Sequence, residues 1–388
     1  MKKQIETLLA TLGPQLDAMV EAMYHNPELG DEEHMASGLH MEVLRQYGFE
    51  VEHPLCGRPT GFRAVFDSGL PGPTVAFMSE YDALPEIGHG CGHNIHGAAA
   101  TGAGIALKAV MHSLGGRVIV LGTPAEERDG AKISYVEAGI FADIDCAMMA
   151  HSYNRWLRSG TSLSSQSLTF EFFGKAAHAA SAPELGINAL DAGLVTMTAI
   201  NALREHVRSD SRIHGIVADG GRVANVVPDY CRLCYMVRST SHDYNRQLID
   251  KVCHCAEAGA LATGARLEIT RPERGLAAMR TNETLNGIFV DLAKALYDLD
   301  ITEAKSGGAT DAGNVSRVCP TIHPYFDITG HDLTNANHSR ERAACTITPY
   351  AREQMRRTVC LLALTGRQVM ADPGTLAAIR REFELSQS

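Results

Sequence analysis

Arg117-Val118-Ile119-Val120-Leu121, running through Gly122 into Thr123-Pro124-Ala125-Glu126-Glu127, is the stretch on which the fold turns. An apolar run bounded by Gly and Pro reads as a strand buried on both faces, the kind that builds parallel sheets. Thr74-Val75-Ala76-Phe77-Met78 and Cys146-Ala147-Met148-Met149-Ala150 have the same form. Each run leads, directly or shortly, into reactive side chains: Glu126-Glu127, Cys91-Gly92-His93 and His151. In an open α/β sheet, ligands sit in the crevice beyond the carboxyl ends of the strands. A thiol, two imidazoles and two carboxylates delivered there match the donors of a zinc or manganese site. The doubled Glu exceeds what a structural metal needs, because one carboxylate can hold the ion while its neighbour handles a proton.

Outward from these runs, the N-terminal third alternates helix and strand patterns. Apolar positions at helical spacing mark 4–24 and 33–47, and strand-like runs fall near 49–52, 62–66, 74–78, 117–121 and 145–150. The Ala- and Gly-rich stretch Gly97 to Met111 suits a helix lying close on a sheet. This is an α/β pattern with a mostly parallel sheet. The middle differs: strands at Ser167–Phe173, Ile213–Ala218, Asp229–Arg238 and Arg266–Thr270, and helices at Asn188–Val207 and Tyr244–Leu261. That β-α-β-β-α-β order is a ferredoxin-like α+β unit. We expect it as an inserted domain, 166–280, interrupting a catalytic domain of 1–165 and 281–388. Afterwards come a helix at 281–297, strands near 301–305 and 322–328, and a long final helix from about Pro349.

With 388 residues, 45% of them hydrophobic, the chain can bury one large core or two ordinary ones. A net charge of −10 argues against nucleic acid or an anionic membrane as partner. No apolar run approaches the roughly 18 residues that span a bilayer. The start, Met1-Lys2-Lys3-Gln4-Ile5-Glu6, reads as an amphipathic helix and not an export signal. Ten cysteines without a small-scaffold spacing point to a reducing compartment, with cytoplasm the default.

Among 17 histidines a lone one means little, so position decides. Cys91-Gly92-His93 lies in a Gly-rich loop, Glu86 to Gly97, where backbone can approach an ion; the bland alternative is a buried thiol beside a surface His. Asp82 can orient a ligand imidazole or merely cap a turn. Glu126 and Glu127 follow a strand and a Pro almost without spacer, and carboxylates so close favour a compensating cation. Cys231 and Cys234 fall inside a strand, facing opposite sides, and read as structural thiols, as do Cys253 and Cys255. Gly307-Gly308-Ala309-Thr310-Asp311 lacks the Lys and spacing of a phosphate loop.

His25-Asn26-Pro27-Glu28-Leu29-Gly30, Tyr81-Asp82-Ala83-Leu84-Pro85, Cys91-Gly92-His93-Asn94, Pro124-Ala125-Glu126-Glu127, Gly174-Lys175-Ala176-Ala177-His178-Ala179 and Asn225-Val226-Val227-Pro228-Asp229 occur in that order. Together they resemble the aminoacylase and carboxypeptidase-G type metallopeptidases. The nearest branch is similar to aminobenzoyl-glutamate hydrolase, auxin-conjugate hydrolases and aminoacylase-like dipeptidases. The resemblance implies a two-metal catalytic domain and a lid domain that dimerises. It puts Cys91, His93, Glu127 and His151 on metal-ligand positions and Glu126 on the general base. His338 fits the last ligand, with His323 and His331 as competitors. His178 matches a lid histidine that reaches the partner subunit's site, and Asn225 with Arg238 a pair that holds the substrate carboxylate. Two departures stand out. Arg128-Asp129-Gly130 replaces a run of glycines, and Ser339-Arg340-Glu341-Arg342 replaces Ser or Thr, Pro and an aromatic.

The expectation is therefore a dinuclear zinc or manganese amidohydrolase, cytoplasmic and homodimeric. It would cleave an N-acyl amino acid or dipeptide with a free carboxylate, Glu126 moving the proton, His178 and a metal facing the oxyanion. A Cys91-dependent thiol hydrolase and a non-catalytic binding protein on the same scaffold are the alternatives. A zinc deaminase lacks its His-x-Glu and Pro-Cys-x-x-Cys here.

Overall fold

Apolar residues at helical spacing, Ile5, Leu9, Leu12, Leu16 and Met19–Val20, bury one stripe of the first helix, α1 (Lys2–His25). The structure, a computed structural model, describes residues 1–303, 308–332 and 337–387. After α1 come α2 (His34–Gln46), β1 (Glu50–Glu52), β2 (Phe62–Asp67), β3 (Thr74–Ser79), α3 (His93–Met111), β4 (Arg117–Gly122), α4 (Ala131–Glu137), β5 (Cys146–Met148) and β6 (His151–Tyr153). Next follow β7 (Ser164–Phe173), α5 (Ala189–Leu203), β8 (Arg212–Asp219), β9 (Tyr230–Ser239), α6 (His242–Thr263) and β10 (Arg266–Thr270). The chain closes with α7 (Glu283–Tyr297), α8 (Ala312–Val315), β11 (Thr321–Ile322), β12 (Tyr325–Asp327), α9 (Arg340–Cys345), α10 (Pro349–Ala371) and α11 (Pro373–Gln387). Two compact units result. The first holds Met1–Thr161 and most of the chain from Met279; the second is Ser162–Ala278 with a short stretch ending at Thr310.

In the first unit six strands run in the order β1-β2-β4-β3-β5-β11. Alternation along the strands assigns the two faces. Val75, Phe77, Val118, Val120, Cys146 and Met148 join the core beneath α1, α3 and α10. Ala76, Met78, Ile119, Leu121 and Ala147 point the other way, onto Ala131, Tyr135, Ala312 and Val315. Layers on both faces explain why these strands read as unbroken apolar runs. The Ala- and Gly-rich α3 lies close on the sheet, for a Cβ on Gly104 would meet Val120 Cγ2 at 2.3 Å and one on Gly97 would meet the Glu80 carbonyl at 1.9 Å.

The sheet is mixed and not mostly parallel along its whole width. β4, β3, β5 and β11 pair in parallel, while β1 with β2 and β2 with β4 are antiparallel. The physical reason is connection length: residues 53–61, from β1 to β2, and 68–73, from β2 to β3, are too short for a crossover, so β2 runs against β1 and β3 and hence against β4, which is parallel to β3. Three other expectations shift. The Gly-rich loop ends at Gly92, because His93 already starts α3. The final helix breaks at Asp372, ahead of Pro373. Of the strand expected at 301–305, residues 304 and 305 lie outside the described residues, and Thr302 makes an isolated bridge to Leu157.

The second unit is an antiparallel sheet in the order β10-β7-β9-β8, with α5 and α6 packed on its core. Asn188 and Ser241 cap α5 and α6 through their side chains. Gly264 ends α6 in the left-handed conformation at φ 78°.

Candidate metal centre

The carboxyl ends of β3, β4 and β5 deliver the reactive residues to one place in the first unit. Asp82, just past β3, is fully buried and joins two of the segments: its Oδ1 lies 2.8 Å from His93 Nδ1, and its Oδ2 accepts the Glu127 backbone N–H at 2.9 Å. With Asp82 accepting, His93 turns Nε2 toward the centre, the arrangement by which a carboxylate orients a ligand imidazole. His151 does likewise: Nδ1 donates to the Ser152 carbonyl at 2.7 Å, and Nε2 faces Cys91 Sγ at 3.5 Å. Glu126 and Glu127 follow Ala125, which holds a left-handed φ of 59°. Glu33 accepts the Ala125 N–H at 2.9 Å, and Gly30 packs so close that a Cβ there would meet Ala125 at 2.8 Å. Strain of that kind persists only where the surroundings enforce it.

Cys91, His93 and Glu127 each offer a donor atom within 4.8 Å of the others, and so do Glu80, His93, His96 and His151. Among the described residues His93 Nε2 is buried without a hydrogen-bond partner, and it lies 3.9 Å from Glu127 Oε1. Leaving such an atom unmatched costs about 1–3 kcal/mol, so a cation between the two fits. The electrostatics agree. Burial pulls the His93 imidazole down, but Asp82 and Cys91 outweigh it and hold its pKa well above the ordinary range. Burial drives Glu126 well up, reinforced by Glu80, Glu127 and Asp311. Against burial, His338 and His93 bring Glu127 below the usual carboxylate value. Burial, reinforced by Glu127 and Glu126 and opposed by His93, sends the Cys91 thiol up to about 12, which disfavours a free thiolate nucleophile but not a metal-held sulfur.

His338 Nε2 sits 3.3 Å from Glu127 Oε1, and its backbone N–H donates to the Gly90 carbonyl at 3.2 Å. His323 is buried beside His151, ring centroids 5.5 Å apart, with Nε2 unpartnered among the described residues. His331 is exposed and faces Asp327 at 3.5 Å. The departures at the rim also have partners: Arg128 donates to the Gly30 carbonyl, and Asp129 accepts from Arg58 at 2.7 Å. Arg342 is completely buried, its three guanidinium nitrogens without a hydrogen-bond partner among the described residues and its charge over the Tyr153 ring at 5.5 Å.

The remaining expected residues belong to the second unit. There the loops of His178 and Asn225 run side by side, the Ala179 N–H donating to the Asn225 carbonyl at 3.0 Å. His178 is exposed, and its Nδ1 accepts the Ala180 N–H at 3.2 Å, leaving Nε2–H free to donate. Arg238 lies on β9 opposite Ser165 and Arg212, its Nε buried and unpartnered among the described residues.

Residues 76–351 match the profile of peptidase family M20/M25/M40. The chain belongs to that family. A member of it is a hydrolase of amide bonds. The Xaa-Arg dipeptidase of Mus musculus is 36% identical, covering 99% of this chain and 92% of its own length. One of the subunits of the p-aminobenzoyl-glutamate hydrolase of Escherichia coli (strain K12) is 32% identical over 69% of this chain and 59% of its own. In fold, the chain resembles a dinuclear metal-binding peptidase of the M20 family from Bacillus subtilis, with TM-score 0.68, 18% identity, and coverage of 93% of this chain and 99% of that one.

Four buried groups in this M20 member do not stand out in the sequence: Glu80, His96, Lys132 and Asp311. Signals exist for two of them. His96 follows His93 by three positions and so shares its helix face, and Glu80 precedes Asp82 by two in an extended segment, on the same side. Asp311 draws notice in the sequence only as the end of a stretch that fails as a phosphate loop.

Proposed function

We propose that this chain is a two-metal amidohydrolase that releases a free amino acid from a dipeptide or an N-acyl amino acid. One observation carries the reading: His93 Nε2 is buried without a partner among the described residues, 3.9 Å from Glu127 Oε1, with Cys91, His151 and His338 at hand and Glu126 alongside. Cys91, His93, Glu127, His151 and His338 would hold the ions, zinc or manganese by the softness of thiolate and imidazole. Bound there, divalent ions lower the pKa of water and polarise the amide carbonyl. Glu126, its Oε2 3.8 Å from His93 Nε2, takes a proton from the attacking water and returns it to the leaving amine. Asp82 keeps the His93 ring in its ligating orientation.

Asn225 and Arg238 would hold the free carboxylate, and the planar guanidinium suits it as a bidentate fork. The names of the relatives support substrates that carry such a carboxylate. His178, its Nε2–H free, would donate to the oxyanion in the partner subunit's site. Dimerisation through the second unit is supported by the unpaired edge of β8, where Ile216 and Val217 are 64% and 42% exposed, and by Leu194 and Val195 standing out from α5 at 48% and 38%. We place the protein in the cytoplasm, a reading supported by ten free thiols. No helix among the described residues is long and apolar enough to cross a membrane.

Substrate choice is tested by kcat/KM of the metal-reconstituted protein on two series, Xaa-Arg dipeptides and N-acyl amino acids, each with its C-terminal amide as control. The expected result is turnover of the free acids and at least tenfold slower turnover of the amides. Equal rates on acids and amides would remove the carboxylate from recognition.

A further inference from the structure

Lys132 is a lysine with no exposed surface, which is rare unless the charge is paired. Its Nζ donates to Glu80 Oε1 and to Asp311 Oδ1, each at 2.6 Å. Glu80 Oε2 in turn lies 2.7 Å from His96 Nε2, and the other His96 nitrogen is 3.5 Å from Ser152 Oγ. Ser152 Oγ donates to the Cys91 carbonyl at 3.0 Å. One chain of polar contacts therefore runs from α4, behind Glu126-Glu127, through the end of β3 and the face of α3, to the segments of His151 and Cys91. Asp311 also accepts the Lys132 backbone N–H at 3.2 Å, and Gly130 leaves it room, since a Cβ there would lie 2.7 Å from Asp311 Oδ2.

Glu80, Glu126 and Asp311 bring oxygens within 4.8 Å of one another, a spacing at which carboxylates attract a divalent ion. The Lys132 ammonium stands between two of the three. Glu126 accepts no hydrogen bond from this network among the described residues, its nearest ring nitrogen being His93 Nε2 at 3.8 Å.

We propose that Lys132 is a positioning residue: its ammonium fastens Glu80 and Asp311 to each other, leaving Glu126 as the one carboxylate of the three free to move a proton and keeping a further ion out of their midst. The proposal rests on Glu126 being the base. A neutral residue at 132 would let Glu80 and Asp311 compete for water or metal beside Glu126, and the base would lose its geometry while substrate contacts stayed.

The test is a double-mutant cycle of Lys132→Met with Glu126→Gln, reading kcat, KM and metal content, with thermal midpoints to verify folding. Because Lys132→Met leaves buried carboxylates uncompensated, the cycle is also run with Lys132→Met/Asp311→Asn in its place, which rebalances the charge. The expected result is a loss of about 10–100-fold in kcat, the usual range for groups that orient site residues, with KM nearly unchanged. In the Glu126→Gln background the same change should cost little more, because its route of action is already gone. Metal content should stay at the wild-type level or rise by one ion. Additive losses, wild-type kcat in the folded variants, or a loss of kcat matched by a loss of metal would overturn the proposal. Full activity of Glu126→Gln alone would instead overturn the assignment of the base, whatever Lys132 does.

Discussion

Glu126 and Glu127 are neighbours in the chain with opposite surroundings: burial and three carboxylates raise one, while His338 and His93 bring the other down. Such a pair divides proton transfer from charge holding. Glu126→Gln should keep metal and lose about 10²–10⁴ in kcat; Glu127→Gln should lower metal occupancy first. Metal analysis beside turnover separates the two, and reversed phenotypes would exchange the roles. Arg342 offers a second test. It lies in the stretch that departs from the expected motif after His338, and its buried guanidinium has no hydrogen-bond partner among the described residues, only the Tyr153 ring at 5.5 Å. Unpaired buried charge is costly, so Arg342→Phe should raise the thermal midpoint, by about 1–4 kcal/mol in stability; an unchanged or lower midpoint would show that the charge is compensated. At this scale the sequence exposed residues adjoining strand ends, such as Cys91, His93 and the Glu pair. It hid Lys132, whose partners lie 52 and 179 positions away and meet it only through the fold.

Between elements, α2 and the residue just before it carry two buried groups whose ionisation opposes folding from opposite sides. His40 lies 2.7 Å from Thr101 Oγ1, and burial holds its pKa at about 3 against about 6.5 unfolded. The unfolded chain thus binds the extra proton, and this contribution, full above pH 6.5, is lost as pH falls toward 3. Glu33, which precedes α2, is raised by burial to about 7 from 4.5, so its contribution is full below pH 4.5 and lost as pH rises through 7. Glu33→Gln keeps a partner for Thr60 and should raise the thermal midpoint at pH 8 while changing it little at pH 4. The gain at pH 8 is at most about 3 kcal/mol, since each tenfold change in proton affinity is worth about 1.4 kcal/mol. Midpoints measured across pH 4–8 check it, and an equal effect at both ends would mean that Glu33 is not ionising under cost. Periodicity revealed α2 and the apolar strands because burial writes itself into sequence every 3.6 or two residues. Strand direction left no such trace: β2 alternates alike whichever way it pairs, and short connections decided that it runs against β4.

For the whole molecule, the β-α-β-β-α-β order was legible because each element of the second unit carries its own pattern, and α5 and α6 begin at side-chain caps. Assembly was not legible in this way, since an exposed edge strand looks the same in a monomer and a dimer. If two-fold pairing puts His178 into the partner's site, His178→Ala and Glu126→Gln chains should complement on co-refolding. Each mixed dimer then holds one intact site, and random pairing at equal input restores roughly a quarter of wild-type activity. Recovery no greater than the sum of the two mutants would confine His178 to its own chain. The central claim concerns the ions, and titration of metal-free protein measures it most directly. Dipeptide hydrolysis should be absent after chelation and return as zinc or manganese binds, levelling at two ions per chain, with Cys91→Ser weakening uptake. Undiminished hydrolysis by protein shown to be metal-free would contradict the account.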